Sequence, residues 1–180
     1  NPEPAILPND LGIIKTENLV EISNQIFASY GRLDSLVHNA AILGTRVPVE
    51  YSDTLEWERV MQVNFNGAVL LTRALLPLLR KSSAASLVFT SSSVGKKPRA
   101  YWGAYCVSKS ALSMITKCLR EEERPNSIRA CTITLGSVNT PLCDSESIKS
   151  DFDRSSMLSP IKVSNTILYM AEQPNSQIIE

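Results

Sequence analysis

Only one histidine, His38, occurs among the 180 residues, and the four cysteines, Cys106, Cys118, Cys131 and Cys143, stand far apart with no CxxC pair. A zinc centre needs several such ligands at short spacing, so no metal is expected. The thiols read instead as small apolar fillers in a reducing compartment, and Cys143 has no flanking cation to activate it. Neither sign of charge dominates, since Lys plus Arg and Asp plus Glu number 18 each. That balance excludes the basic footprint that nucleic acid or an anionic membrane surface demands. Long hydrophobic runs are missing as well. The most apolar stretch, residues 68–79, is interrupted by Arg73 and Pro77 and falls short of the ~20 residues that span a bilayer. No basic-plus-apolar signal opens the sequence. What remains is a small-molecule partner and a soluble protein of the cytoplasm or the mitochondrial matrix. A hydrophobic content of 43% in 180 residues supports one domain, residues 1–180, and no second.

Short β-rich runs alternate with longer helical segments, the rhythm of βαβ units on a parallel sheet. Residues 5–7 are expected to end a strand. A helix follows, capped at Thr16, with Leu19, Ile22, Ile26 and Phe27 on one face. Further strands are expected over residues 33–38, 86–90 and 128–134. A long helix starts near Asp53 or Thr54 and carries Met61, Phe65, Ala68, Leu75 and Leu79 at helical spacing. Another, residues 101–122, turns an apolar stripe of Ala104, Val107, Ala111, Met114, Ile115 and Cys118 toward the core. Ser159 before Pro160 supplies an N-cap and first-turn pair for a last helix to Ala171. The Ser- and Asp-rich segment 143–158 reads equally well as a mobile lid over the sheet's carboxyl edge or as an ordinary surface loop. Glu121, Glu122 and Glu123, flanked by Arg120 and Arg124, read as a solvated face. His38 reads as a packed strand-end residue rather than a base.

Tyr105 and Lys109 stand four residues apart on the helix expected over 101–122, so both side chains project from one face, about one turn apart. A phenol of pKa about 10 is a poor proton carrier at neutral pH, but a nearby ammonium favours its phenolate and brings it toward the working range. The pair is offset from the expected core stripe and can therefore line a cleft. Surface helices also produce a YxxxK spacing by chance; its neighbours in the sequence give this one meaning.

LVFTSSSVG, residues 87–95, followed by GAYCVSK, residues 103–109, resembles the strand, serine turn and YxxxK helix of the short-chain dehydrogenase/reductase family, with Ser92 13 residues before Tyr105. LVHNAAIL, residues 36–43, is similar to the family's LVNNAG segment, from which His38 and Ala41 depart. VMQVNFNG, residues 60–67, matches the segment bearing the family's helix asparagine, here Asn64. Leu135, Gly136 and Thr140 correspond to PGxxxT, with Leu135 in place of the proline. Asp10 followed by Leu11 resembles the aspartate that ends the third strand near the adenine ring. Within the family, the likeness is to bacterial members described only as uncharacterised oxidoreductases.

The resemblance implies an α/β fold: a Rossmann-like, doubly wound parallel sheet, incomplete here, with strands 4 to 6 and their flanking helices but without the first βαβ unit. It implies an NAD(P)-dependent oxidoreductase, moving hydride reversibly between NAD(H) or NADP(H) and a carbonyl or alcohol substrate. Tyr105 would be the acid in reduction and the base in oxidation. Ser92 would hydrogen-bond the same carbonyl oxygen. Lys109 would lower the pKa of Tyr105 and hold the nicotinamide ribose. A local helix break at Asn64, close before Gly67, would free a backbone carbonyl for a relay water. Asn39, Ala40 and Ala41 would pass under the cofactor, and Gly136, Val138 and Thr140 would meet its carboxamide. A homo-oligomer, dimer or tetramer, pairing through helices 54–80 and 101–122, is implied too. The family's TGxxxGxG turn occurs nowhere in the 180 residues. The expectation is therefore that the N-terminal part was removed or sits on another chain, and that this chain alone binds cofactor poorly. The alternative is a catalytically silent structural subunit, or half of a split enzyme in a larger assembly.

Overall fold

Local signals set the element boundaries in the computed structural model, which describes residues 6–144 and 153–174. Helix α1, Thr16–Tyr30, has Lys15 rather than Thr16 at its cap, and the Lys15 N–H donates to Asn18 Oδ1 at 3.0 Å. It stops where Gly31, at φ 73°, takes the left-handed conformation and donates its N–H to the Phe27 carbonyl. Strand β1 covers Ser35–His38. Asp53 caps α2, Thr54–Met61, accepting from Glu56 N at 2.8 Å. One π turn, Gln62–Asn66, separates α2 from α3, Gly67–Leu79, so the long helix is interrupted around Asn64. Strand β2, Ala85–Ser92, helix α4, Gly103–Glu123, strand β3, Ile128–Leu135, and helix α5, Pro160–Glu172, complete the order. Ser159 occupies the cap position of α5, but its hydroxyl makes no cap bond. Ile6 and Leu7 form no strand and lie exposed, with no neighbouring strand among the described residues to complete a ladder. Ala5 lies outside the described residues.

The three strands form a parallel sheet in the order β1-β2-β3, with Leu36 opposite Leu87 and Leu87 opposite Ala130. Because successive strand residues point to opposite faces, β2 feeds two cores. Leu87 and Phe89 join Ala68 and Leu79 of α3 and Leu112 and Leu119 of α4 on one face. On the other, Val88 joins Cys131, Ile133 and Met170 of α5. Helices therefore cover both faces, as a doubly wound fold requires. Helix α1 packs its Leu19 and Ile22 onto Leu75 and Leu78 of α3. His38 is buried, stacked on Phe89 with 4.7 Å between ring centroids, and its Nε2 shares a 2.7 Å hydrogen bond with Thr72 Oγ1. Burial pushes its pKa down to about 4. No helix among the described residues is long and apolar enough to cross a membrane.

Three further expectations need correction. On α4 the buried face carries Tyr105, Ser108, Lys109, Leu112, Thr116 and Leu119, whereas Val107 is 47% and Met114 60% exposed. The polar members of that face have internal partners, which removes the cost of burying them. Glu123 is not part of a solvated run; it is buried, accepting from Arg80 Nε at 2.9 Å and Asn126 Nδ2 at 2.8 Å. The Arg80 hydrogen bond holds its carboxyl below the usual range. Of the cysteines, Cys106 and Cys131 are buried fillers, but Cys118 is exposed and Cys143 half-buried.

Candidate active site

The carboxyl ends of β2 and β3 open into a cleft of about 540 Å³, and the chain enters it through a tight sequence of turns. Ser92 ends β2, and its Oγ accepts a long 3.4 Å hydrogen bond from Val94 N. The next turn presses on α4 at Gly95, where a Cβ would come within 2.9 Å of the Lys109 carbonyl carbon, so only glycine permits the approach. Ser110 Oγ clamps the contact by donating to the Gly95 carbonyl at 2.5 Å. Tyr101, a non-glycine residue at φ 72°, then turns the chain into Trp102 and the first turn of α4. The result is that Tyr105 and Ser92 face the same cleft, near enough for the Ser92 hydroxyl to favour the phenolate.

Tyr105 and Lys109 are both buried, and burial dominates their titration. The phenol is pushed up to about 12 by desolvation, which the nearby Ser92 hydroxyl opposes only in part. Lys109, 2% exposed, is lowered to about 8 by the same cause. Its Nζ donates to the Thr90 carbonyl at 2.9 Å and lies 5.6 Å from the Tyr105 ring centroid. The expected lowering of the Tyr105 pKa by Lys109 is thus not what this site displays. At neutral pH the phenol is a protonated donor aimed into the cleft.

Asn39, Ala41, Ser92, Tyr105, Lys109, Gly136, Val138 and Thr140 all line the cleft, so most of the residues singled out from sequence are brought together. A Cβ on Gly136 would meet nothing within 4 Å, leaving open space above that stretch of backbone. Asn64 is not in the wall. It is buried in the π turn behind it, where Oδ1 accepts from Ile42 N at 2.8 Å while Nδ2 donates to Ile42 O at 2.8 Å and to Ser108 Oγ at 3.1 Å. Those bonds fasten the loop after β1 to α4. Ala40, Asp10 and Leu11 also lie outside the wall. Asp10 accepts from Gly12 N at 2.7 Å, and the Leu11 carbonyl accepts from Gln62 Nε2 at 3.2 Å.

The two ends of the 143–158 segment are joined. Val138 bridges Leu158, and Arg154 pairs with Asp144 and donates to Asn139 Oδ1 at 2.7 Å. Residues 145–152 lie outside the described residues, and with them half of the segment 143–158 that was expected to be a lid or a surface loop. Sequence reasoning missed Thr90, Val94, Arg99 and Trp102 as lining residues. None of the four belongs to a motif spacing that sequence reasoning could read. Thr90 Oγ1 is buried there with no hydrogen-bond partner among the described residues. Cys143 also lines the cleft, and burial pushes its thiol up, which keeps it protonated.

Ser92, Tyr105 and Lys109 lie inside residues 4–151, the span that matches the short chain dehydrogenase sequence profile. The chain is 44% identical over 133 residues to the uncharacterized oxidoreductase YciK of Escherichia coli, covering 74% of this chain and 52% of that protein. It is 36% identical over 133 residues to the benzil reductase ((S)-benzoin forming) IRC24 of Saccharomyces cerevisiae, covering 71% of this chain and 49% of the relative. This chain therefore spans about half the length of these curated relatives. Among solved structures, a short chain dehydrogenase from Pseudomonas syringae superposes with a TM-score of 0.88 at 37% identity, covering 98% of this chain and 70% of the other. One from Shigella flexneri, complexed with NADP, gives 0.85 at 36% identity, covering 92% and 68%. A profile match over most of the sequence, together with such relatives, establishes that the chain belongs to the short chain dehydrogenase family.

Proposed function

We propose that this chain carries the proton-handling side of an NAD(P)-dependent oxidoreductase that interconverts a carbonyl and an alcohol. The observation that carries the reading is the convergence of Tyr105, Ser92 and Lys109 on one cleft at the ends of β2 and β3. Tyr105 would pass its phenolic proton to the substrate oxygen. Ser92 Oγ, which lines the same cleft, would donate to the same oxygen and stabilise the charge that develops on it. With the phenol pushed up to about 12, the site is poised as an acid, which suits the reductive direction at neutral pH.

The residues fit a nicotinamide riboside. Lys109 has three donors, and one is used on Thr90, which leaves N–H groups for ribose hydroxyls. The open space at Gly136 and the partnerless Thr90 Oγ1 are features that a bound group would complete. When bound, the nicotinamide supplies or accepts the hydride. Asn39 and Ala41 would form the floor beneath it, beside Ala40, and Gly136, Val138 and Thr140 the wall at its carboxamide. Asp10 and Leu11 would lie at the adenine end. Asn64 acts in this reading as a positioning residue, holding the Ile42 backbone and Ser108 in register. The NADP complex of the Shigella flexneri relative supports NADP(H) as the first cofactor to try.

In the purified protein supplied with NADPH, Tyr105→Phe should lower kcat/KM for carbonyl reduction by about 10³-fold with the fold unchanged by circular dichroism. Near-native turnover in that variant would remove Tyr105 from the proton-transfer role, whereas absence of turnover in the unaltered protein would favour the structural-subunit reading.

A further inference from the structure

We propose that Trp102 is the specificity-determining wall of this cleft, favouring ketones that carry a flat aryl group beside the carbonyl and limiting how large that group can be. The inference rests on the reductase reading above and names the substrate class for it. Leu43, Trp102 and Tyr105 line the cleft of about 540 Å³ and also line a second hollow of about 20 Å³, which Val47, Val49, Trp57 and Val60 help to enclose. These shared side chains are therefore the partition between the two spaces. The hollow has room for no more than about one water, so on this side of the proton donor the partition sets where the cleft ends. Its largest member is the indole.

The placement of that indole is built rather than loose. Tyr101, directly before it, is held at φ 72°, a left-handed conformation that is unfavourable for a bulky residue. Gly103, directly after it, abuts Trp57, and a Cβ there would come within 2.9 Å of the Trp57 ring. Backbone strain persists where the surrounding packing over-determines it. What the packing fixes here is Trp102, buried and edge-on to Tyr105 with 5.9 Å between ring centroids. Val94 and Cys106 belong to the same cluster, with Leu43 and Cys143 packed against it. An aryl group beside the reacting carbonyl thus meets an aromatic ring and polarizable sulfur, which attract a flat π system more than a saturated ring of the same size.

The test uses the purified protein, NADPH and a set of methyl ketones: acetophenone, its saturated counterpart cyclohexyl methyl ketone, and methyl naphthyl ketone. Reduction is followed by the loss of NADPH absorbance, one NADPH being oxidised for each ketone reduced to its alcohol. The readouts are ratios of kcat/KM between ketones within one preparation, which incomplete folding of a variant leaves unmoved. Trp102→Leu should raise the naphthyl-to-phenyl ratio about tenfold, because without the indole the cleft runs on into the hollow. It should also lower the phenyl-to-cyclohexyl ratio about fivefold, because the ring-to-ring attraction is gone. Trp102→Phe, which keeps a smaller ring, should raise the first ratio less and hold the second within about twofold of the unaltered protein. If ketones are reduced in a Tyr105-dependent way but Trp102→Leu leaves both ratios unchanged, the inference falls and the reductase reading stands. If no ketone is turned over in a Tyr105-dependent way, the reductase reading falls and the inference with it.

Discussion

On α4, Val107 and Met114 stand in the open while Ser108, Lys109 and Thr116 are buried beside Leu112 and Leu119. Hydropathy alone would place them the other way round. The difference lies in partners: Ser108 Oγ donates to the Tyr105 carbonyl at 2.8 Å and receives Asn64, Lys109 Nζ reaches Thr90, and Thr116 Oγ1 donates to the Leu112 carbonyl at 2.7 Å. A buried polar group that keeps a hydrogen bond costs little, and the adjoining leucines supply the apolar area. The face that serves the cleft is therefore paid for by local bonding, and the helix is oriented by the site it serves.

The contrast can be broken from either side. Leu112→Ala, on the buried face, should destabilise by about 4 kcal/mol in urea or thermal unfolding, because the cavity it leaves lies in the core cluster formed by the sheet and α3. An effect below about 1 kcal/mol would mean that this face is less tightly packed than described. Next in size is a pH effect at Lys109, which is lowered from 10.5 to about 8 by burial. Below pH about 8 the amine is charged in both folded and unfolded chains and the full penalty applies; above that the folded chain sheds the proton first, so stability rises with pH. The full relief is roughly 3 kcal/mol, and it should be followed up to pH about 10, before unfolded tyrosines ionise. Lys109→Met should abolish that rise. If wild type and variant have parallel stability profiles, Lys109 is not desolvated.

Asn64→Ala should cost about 2 kcal/mol, since it strips the Ile42 amide and carbonyl and Ser108 of their shared partner. Unlike Leu112→Ala, it should also raise KM for the cofactor in steady-state assays, because the loop it holds forms part of the cleft. The smallest effect belongs to the open face: Met114→Ser should change monomer stability by no more than about 0.5 kcal/mol. A larger loss, accompanied by a fall in mass by light scattering, would mean that a second copy covers this stripe, the pairing expected from sequence.

Much of the fold was legible beforehand. The β-rich runs at residues 86–90 and 128–134 fall inside β2 and β3, and the Asp53 cap marks the start of α2. Ser92, Tyr105 and Lys109 were found because a recurring motif spacing survives in the sequence, and they do share one cleft. What escaped detection has a common character. The α4 face was misread because hydropathy counts lysine and serine as solvent-seeking wherever they stand. Glu123 was misread because its partner, Arg80, is 43 residues away. Arg99 and Trp102 passed unnoticed because neither belongs to a motif with a spacing of its own.

The chain order of short strands and helices, and the residue types needed for proton transfer, were determined by the amino-acid sequence, since periodicity, caps and motif spacing are local properties. The tertiary structure alone decided that Tyr105 is held protonated rather than pulled toward phenolate, that Asn64 clamps a loop, and that Arg99 overlooks the cleft. Each of these depends on desolvation or on contact between distant segments, and neither exists until the elements have packed.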